Sequence, residues 1–483
     1  MDNQSEEVLQ PSEQGGEGKS SIAISKKSFI TSMVILLVLM VTAYIMTFAL
    51  KHGVYNDAGV YNETSGTGLA FWKFLLAPFL QFGVEGSATL ISIMGLIIVI
   101  GAVFTALDKS GVMKYMLDRI VVKFKERRYI LLAMLSLFFM LMGSTIGMYE
   151  ECVPLVPIVV LLCYALGWDA IVGIAASLLS VGLGFSAGIM NPFTVGVAQS
   201  YSDQLPMFSG MGYRLLTFVI VYGILMLFLL PYAKKIDKQP SASPVFNEDG
   251  LIKANLNFDM FFEANKKMDK ALIWFVSSLG VMVLFVLLAI PVRALTDYVM
   301  YVIVLMYLIA GLGASILSGM KGKVLLKNLG KGVIAILPAI LMILVAASIK
   351  YILLEGEVLD TIIYQLVNAV SHSPRFIAIL LIYLVVLVCN FVIPSGSAKA
   401  ALIMPVIYPI VNALGINHQT AVLAFAYGDG FSNVIYPTNP VLLIALGLTT
   451  VSYVKWFKWS AKIQLSILDA TSLLLIIADQ LVY

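Results

Sequence analysis

The chain carries a repeat against itself. When it is shifted by 248 positions, residues 157–192 lie on 405–440 without a gap, and eight of these 36 positions match. The matches are Pro157/Pro405, the triplet Ala165-Leu166-Gly167/Ala413-Leu414-Gly415, Ala176/Ala424, Gly182/Gly430 and the pair Asn191-Pro192/Asn439-Pro440. Scattered identities arise by chance in an apolar composition. A matched Ala-Leu-Gly turn and a matched Asn-Pro helix break in one register are harder to obtain that way. Duplicated halves with helix breakers at corresponding places are the sequence mark of a secondary transporter.

Charge content sets the medium. Only 12% of the residues are charged and 60% are hydrophobic, whereas a soluble chain carries about 25% charge. The class is therefore an all-α polytopic membrane protein, in which each span needs about 20 apolar residues. Several apolar runs (152–166, 169–198, 400–414, 417–448) are too short or too broken to be simple spans. Residues 70–87, aromatic-rich and punctuated by Pro78, suit an interfacial segment. Cys152, Cys163 and Cys389 sit in apolar runs, and the three histidines are scattered. Neither set has disulfide or metal spacing, so no metal or cofactor is expected. No nucleic-acid partner is expected; the lipid bilayer is the surrounding partner.

The chain divides into a disordered cytoplasmic tail (1–27), a first transmembrane repeat (28–233), a cytoplasmic linker (234–269) and a second repeat (270–483). Lysine and arginine cluster at 109–128, 234–270, 318–331 and at Lys455, Lys458 and Lys462. The positive-inside rule places these loops and the N-terminus in the cytoplasm, and the inner (plasma) membrane is the expected location. The loops at 51–87 and 353–374 are poor in Lys/Arg, and the second carries Glu355, Glu357 and Asp360. Both belong outside. Two spans precede the basic loop at 109–128, whereas three follow the linker before 353–374. The repeated units then enter from opposite faces, which makes the repeat an inverted one.

Each unit reads as a re-entrant hairpin followed by a broken helix. In the first, 129–147 descends, 143–151 forms the tip, and Pro154 and Pro157 open the return limb. In the second, 375–394 descends, Pro394 to Lys399 forms the tip, and Pro405 lies in the return limb. Non-helical backbone at membrane depth is tolerated where protein or a watery cavity satisfies it. Both tips should line a cavity.

The chemistry would lie there. Glu150 and Glu151 stand at the first tip, and a charge at the bilayer centre costs at least about 2.5–3.5 kcal/mol, so an intramembrane acid marks a functional site. The alternative is a glutamate pair at a membrane boundary. In the 248 register Glu151 falls on Lys399, so these two tips could share a buried ion pair, or Lys399 could meet substrate. Asp429, between Gly428 and Gly430, is the other isolated acid, suited to a proton or cation relay or to a helix-break hydrogen bond. Asn191 and Thr194 at the first break, Thr438 and Asn439 at the second, and Ser395 and Ser397 at the second tip add neutral polar groups. Proline removes a backbone donor and frees a carbonyl one turn earlier, so half-helix ends can receive ions. A simple kink is the plainer reading of each. Counting Glu150, Glu151 and Asp429 against Lys399 leaves −2, which complements a cationic substrate.

Gly147-Met148-Tyr149-Glu150-Glu151 followed by Pro154, then Gly182 to Gly188, then Asn191-Pro192-Phe193, resembles the YfcC-like branch of the anaerobic four-carbon-dicarboxylate carrier family, within the ion-transporter superfamily. Ser395 to Lys399, Gly428-Asp429-Gly430 and Thr438-Asn439-Pro440 agree with it in the second half. The resemblance implies a scaffold domain, a transport domain with two re-entrant hairpins and two broken helices, elevator-type motion and a homodimer. Its members include arginine/ornithine exchangers, dicarboxylate carriers and short-chain fatty acid transporters. Sodium-driven relatives carry Ser-Asn-Thr at both tips. Here the tips read Tyr149-Glu150-Glu151 and Ser397-Ala398-Lys399, which departs from that pattern.

The expected function is secondary transport of a small molecule, in the first place exchange of basic amino acids such as arginine and ornithine. Glu150, Glu151 and Asp429 would receive the cationic side chain or a coupling proton. Asn191, Asn439 and the half-helix N-termini would hold the carboxylate. The alternative is a proton- or sodium-coupled carrier of C4-dicarboxylates or short-chain carboxylates, with Lys399 as anion partner. No motif of a membrane hydrolase is present, so an enzyme is not expected.

Overall fold

The structure is a computed structural model, and it describes residues 26–56, 61–84, 87–202, 204–254, 264–289 and 298–481. The tail expected to be disordered lies, apart from its last two residues, outside the described residues. The rest is nearly all helix. α1 (Lys26–Ala49) leads into a two-stranded antiparallel hairpin, β1 (His52–Tyr55) with β2 (Tyr61–Thr64), then α2 (Phe71–Leu80), α3 (Ser87–Ser110) and α4 (Val112–Phe124). The segment read as interfacial is thus helical over α2. The basic loop at 109–128 is no open loop but mostly α4, turned 75° from α3. Gly111 makes the corner at φ +79, a left-handed conformation that glycine adopts without a Cβ penalty.

The first repeated unit comprises α5 (Arg128–Leu141), α6 (Val156–Ala165), and a broken helix of α7 (Ala170–Ile174), α8 (Ser180–Ala187) and α9 (Val197–Ser200). α10 (Met211–Lys238) and the linker helix α11 (Phe246–Lys253) follow. Next come α12 (Lys266–Ala289), α13 (Val299–Leu317), α14 (Gly322–Glu355) and the amphipathic α15 (Leu359–Ser371). The second unit comprises α16 (Arg375–Val392), α17 (Gly396–Ala413) and a broken helix of α18 (His418–Gly430) and α19 (Pro440–Gly447), closed by α20 (Tyr453–Gln480). Among the described residues seven helical runs are long and apolar enough to cross a membrane, or eight if α3 and α4 count as one bent span.

The loops sort by charge, as their composition led us to expect. At one end Arg119 pairs with Asp269 (2.8 Å), Arg128 with Asp237 (2.5 Å) and Lys455 with Glu248 (2.5 Å), which joins three of the four basic segments to one another. At the other end Lys73 pairs with Glu355 (2.5 Å), Thr64 donates to Glu357 (2.6 Å) and the Tyr55 amide donates to Asp360 (2.9 Å). The stretch at 128–166 is a hairpin: Arg128, which opens α5, donates to the carbonyl of Leu166, just beyond α6 (3.1 Å), so both limbs meet at the basic end.

The matched triplet is a corner. Gly167 (φ +92) and Gly415 (φ +65) are left-handed ends of α6 and α17. The Trp168 amide donates to the Cys163 carbonyl and the Ile416 amide to the Val411 carbonyl, each at 2.8 Å, the six-to-one bond of a Schellman stop. The next residues, Asp169 and Asn417, then cap the following helices by accepting from the amides of Val172 and Gln419. Nine or ten residues of local chemistry therefore turn each hairpin limb into its broken helix by the same two devices.

The two broken helices form the core and run antiparallel. Every residue of α7 and α8 is buried, and so is every residue of α18. The end of the first lies beside the start of the second: Ser202 hydrogen-bonds His418 (2.7 Å), and Gln199 donates to Gln419 (3.2 Å). The end of the second lies beside the start of the first. There Asp249 of α11 accepts from the Ala170 amide (2.9 Å), the Thr450 hydroxyl (2.5 Å) and the Tyr164 hydroxyl (2.8 Å). They cross at the matched glycines. A Cβ on Gly182 would lie 2.3 Å from Val434, and one on Gly430 would lie 2.1 Å from the Ser186 hydroxyl. Residues 182 and 430, and 186 and 434, are partners in the 248 register, so the contact is the same one made twice.

Asp249 carries a pH dependence. Burial pushes its carboxyl up from 3.8 to about 6, against the pull of the hydrogen bonds from Thr450, Ala170 and Tyr164, and the neighbouring Asp169 adds to the rise. A carboxyl whose folded value is raised stabilises the fold fully below its unfolded value, and that contribution is lost as pH rises through about 6. The swing is on the order of 2–3 kcal/mol. Thermal unfolding of the detergent-purified protein between pH 4 and 7 should therefore slope downward with pH more steeply than that of Asp249→Asn. Parallel curves would remove Asp249 from the balance.

Candidate functional site

Both hairpin tips meet the helix breaks. α5 presses on α8 because both contact residues lack a side chain: a Cβ on Gly184 would lie 1.9 Å from the Met140 carbonyl oxygen, and one on Gly143 2.1 Å from that of Val181. This brings Ser144 to the first break. Its hydroxyl accepts from the Ile189 amide and its carbonyl from the Met190 amide, both at 3.0 Å. Two donors that the break leaves without helical partners are thereby satisfied. Arg214, wholly buried, donates from Nε to the Ile189 carbonyl (3.2 Å). Beyond Ser144 the chain turns at Gly147 (φ +75) and reaches the glutamates. Glu151 is nearly buried and accepts from the Tyr149 amide (3.1 Å), while Glu150 is half-buried.

Asn191 and Asn439 are helix caps. Asn191 accepts from the Phe193 amide (2.9 Å) and donates to the Phe185 carbonyl (2.9 Å), bridging the two sides of its break. Asn439 accepts from the amides of Val441 (2.9 Å) and Leu442 (3.3 Å) and donates to Asn433 Oδ1 (2.9 Å). Both side chains are therefore engaged, Asn191 wholly by backbone and Asn439 by backbone and Asn433, and what they present at each break is a capped helix N-terminus.

The second tip is shorter than the sequence suggested. α17 begins at Gly396, so Ser397 and Lys399 stand in its first turn and Ser395 is its cap. The Ser397 hydroxyl donates to the Phe193 carbonyl (3.0 Å), tying this tip to the first break. The pairing of Lys399 corrects the expectation drawn from the 248 register. Its partner is not Glu151 but Asp429, with Nζ 2.6 Å from Oδ1, and both side chains are fully buried. Nζ also donates to Asn390 Oδ1. The reason is local packing. A Cβ on Gly428 would lie 2.7 Å from the Tyr383 carbonyl oxygen, and one on Gly396 2.9 Å from Asp429 Oδ2, so α18 reaches α16 and α17 closely enough for the ion pair to close.

A relay of amides links the two tips. Asn390 donates to Ser432 (2.7 Å) and to Asn433 Oδ1 (2.9 Å), and Tyr149 donates its hydroxyl to the Asn433 carbonyl (3.2 Å). Of the eight buried side-chain polar atoms without a partner among the described residues, three belong to these tips and breaks: Asp429 Oδ2, Thr194 Oγ1 and Thr438 Oγ1. Gly396 touches two of these residues, since its Cβ would also lie 3.0 Å from Thr194 Cγ2. An unmet acceptor and an unmet hydroxyl thus flank one glycine at the centre of the molecule, an arrangement that a bound polar ligand would complete.

Sequence reasoning placed Ser144 and Tyr149 in the first tip without a role, and did not single out Arg214, Asn390 or Asn433. Arg214 was the findable one: a lone arginine inside the apolar run that became α10 meets the same criterion that marked Lys399.

Residues 29–480 match the family described as the C4-dicarboxylate anaerobic carrier. The chain is 30% identical over 409 residues to the Escherichia coli (strain K12) protein named "Putative basic amino acid antiporter YfcC", covering 81% of this chain and 78% of that one. It is 27% identical over 385 residues to an uncharacterized Haemophilus influenzae protein, covering 78% of this chain and 73% of that one. Among solved structures, the MtrF efflux pump of Neisseria gonorrhoeae aligns over 92% of this chain and 94% of its own at 16% identity, with a TM-score of 0.45. The chain belongs to the C4-dicarboxylate anaerobic carrier family and is a membrane transporter rather than an enzyme.

Proposed function

We propose that this member of the carrier family exchanges basic amino acids, of the arginine/ornithine type, by alternating access. The observation that carries the reading is the Lys399–Asp429 pair. The four charges expected to share one cavity divide into a self-neutralised pair and the two glutamates. The pair contributes no net charge, so Glu150 and Glu151 set the sign of the site, and a cationic side chain complements them. The carboxylate-carrier alternative needed Lys399 as an anion partner, and its ammonium is already engaged by Asp429 and Asn390. In this reading the N-termini at Asn191 and Asn439 receive the amino-acid carboxylate. Thr194, Thr438, Ser395 and Ser397 line the way. The name carried by the Escherichia coli relative points in the same direction.

The same reading takes the two units as an inverted repeat, with the basic loops and N-terminus in the cytoplasm and the chain in the plasma membrane. It is supported by the antiparallel broken helices and by the reciprocal contacts of Gly182 with Val434 and Gly430 with Ser186. An elevator-type movement of hairpins and broken helices against the other helices, within a homodimer, belongs to the same proposal. The exchanger needs no coupling ion, because the Lys399 ammonium is a fixed cation at the second tip.

Counterflow in proteoliposomes tests this. Labelled arginine should accumulate against internal ornithine or arginine and not against succinate. Glu151→Gln should lower that accumulation at least tenfold, a loss of about 1.4 kcal/mol or more at the limiting step, while leaving the melting temperature unchanged. Accumulation of succinate alone would sink the cationic reading.

A further inference from the structure

The acidic end of the molecule holds a cavity that the central chemistry does not use. In the β1–β2 hairpin Tyr55 is paired with Tyr61, and the hairpin lies on α15. The Tyr61 ring stacks on Tyr364 with centroids 4.2 Å apart and planes 9° apart, and Tyr55 meets Tyr61 edge-on at 5.8 Å and 67°. The cluster is held in place. The Tyr61 hydroxyl hydrogen-bonds Thr361 (2.8 Å), and the Tyr55 amide donates to Asp360 (2.9 Å). The Gly53 amide donates to the Glu357 carbonyl (2.9 Å). A Cβ on Gly53 would lie 2.2 Å from the Tyr61 hydroxyl oxygen, so a glycine is what lets that ring lie across the hairpin.

The three tyrosines, with Asn368 of α15 and Val406 of α17, open onto a cavity of about 240 Å³. Among the described residues no basic side chain lines it. At this end Lys51 is paired with Glu63 (2.9 Å) and Lys73 with Glu355 (2.5 Å), while Glu357 and Asp360 hold the hairpin from below. Aromatic faces are electron-rich and attract cations, guanidinium and alkylammonium groups most effectively when several rings surround them. The volume is below the roughly 300–1,000 Å³ of sites for drug-sized ligands, and suits a headgroup with a few carbons.

We infer that this tyrosine cavity is a binding site for an organic cation, a guanidinium or alkylammonium headgroup, separate from the central site. Val406 sits on the return limb of the second hairpin, so an occupant touches a limb that leads directly to Lys399. Only the identification of that occupant with the transported substrate rests on the exchanger reading; the cation preference stands without it.

A single reporter cysteine tests the site in the full chain, reconstituted in proteoliposomes. The three native cysteines are buried, and Asn368 is exposed at the rim, so Asn368→Cys provides the reactive thiol. Its modification by a trimethylammonium-ethyl methanethiosulfonate, each rate divided by that reagent's rate with free 2-mercaptoethanol, should outpace the sulfonatoethyl analogue by about tenfold, and tetramethylammonium should slow it. Tyr364→Phe should keep that ratio, since the ring remains. Tyr364→Leu with Tyr61→Leu should bring it to within about twofold of unity. A ratio that survives loss of both rings would overturn the aromatic site and leave only the acidic surroundings as its cause. Equal rates in the Asn368→Cys background would overturn it outright. No transport is measured, so failed arginine counterflow with the cation preference intact would count against the central reading alone.

Discussion

Asp429→Ala should abolish exchange and destabilise the protein by about 3–5 kcal/mol, among the largest effects available from one substitution. The magnitude comes from what is left behind. Lys399 is fully buried, and its ammonium has two acceptors, Asp429 Oδ1 and Asn390 Oδ1. Removing the carboxylate strands a cation with a single neutral partner in a fully buried position, where several kcal/mol of hydration are missing. Lys399→Ala should cost comparably, because Asp429 Oδ2 already lacks a partner and Oδ1 would then lose its own. The informative variant is the double one. Lys399→Met with Asp429→Leu removes both charges and keeps the volume, so thermal stability should return to within about 1–2 kcal/mol of the original. Exchange should not return, because the fixed cation has gone with its partner. If the double variant transports arginine at the original rate, the pair is structural and the exchanger reading loses its account of ion independence. If Asp429→Ala alone melts normally, the ion pair is not closed in the membrane.

Much of this arrangement was readable in the chain. Asn-Pro, Ala-Leu-Gly and the glycines of the repeat are local signals, and each became the local structure its chemistry requires: a capped half-helix, a left-handed corner, a close crossing. The division of loops by charge was readable too, because Lys/Arg placement reports on the two ends directly. Partner choice was not. Lys399 and Glu151 share a register position, yet the ion pair goes to Asp429, 30 residues along the chain. Register reports which residues are equivalent under the repeat, and equivalent residues sit at opposite tips rather than in contact. The amide relay through Asn390 and Asn433 was invisible for a related reason: neutral polar residues at single positions in apolar runs break no period and carry no charge signal. The asparagines of the breaks read from sequence as ligand donors, whereas their side chains are engaged by helix amides and by Phe185 and Asn433.

The reciprocal crossing makes a sharper demand on the fold than any single site residue. Gly430→Ala should lower the yield of folded protein severely, because the new methyl would meet not only the Ser186 hydroxyl at 2.1 Å but also the Ser186 Cα at 2.7 Å, and backbone cannot rotate away. Overpacking of this kind costs about 1–3 kcal/mol where side chains absorb it, and more where they cannot. Gly182→Ala should be milder. Its methyl meets Val434 Cγ1 at 2.3 Å and the Tyr149 ring at 3.2 Å, both of them side-chain atoms. The two variants should differ again in rescue. Val434→Ala removes the clashing methyl and should restore most of the stability lost in Gly182→Ala, whereas Ser186→Gly should restore only part of that lost in Gly430→Ala. Melting temperatures of the four single and two paired variants, measured in one detergent, decide this. Because 182 and 430, and 186 and 434, are equivalent under the repeat, rescue on both sides of the crossing is what a pseudo-twofold contact requires. Two unaffected glycine variants would mean that α8 and the α18 end do not touch, and the antiparallel pairing of the broken helices would fall with that contact.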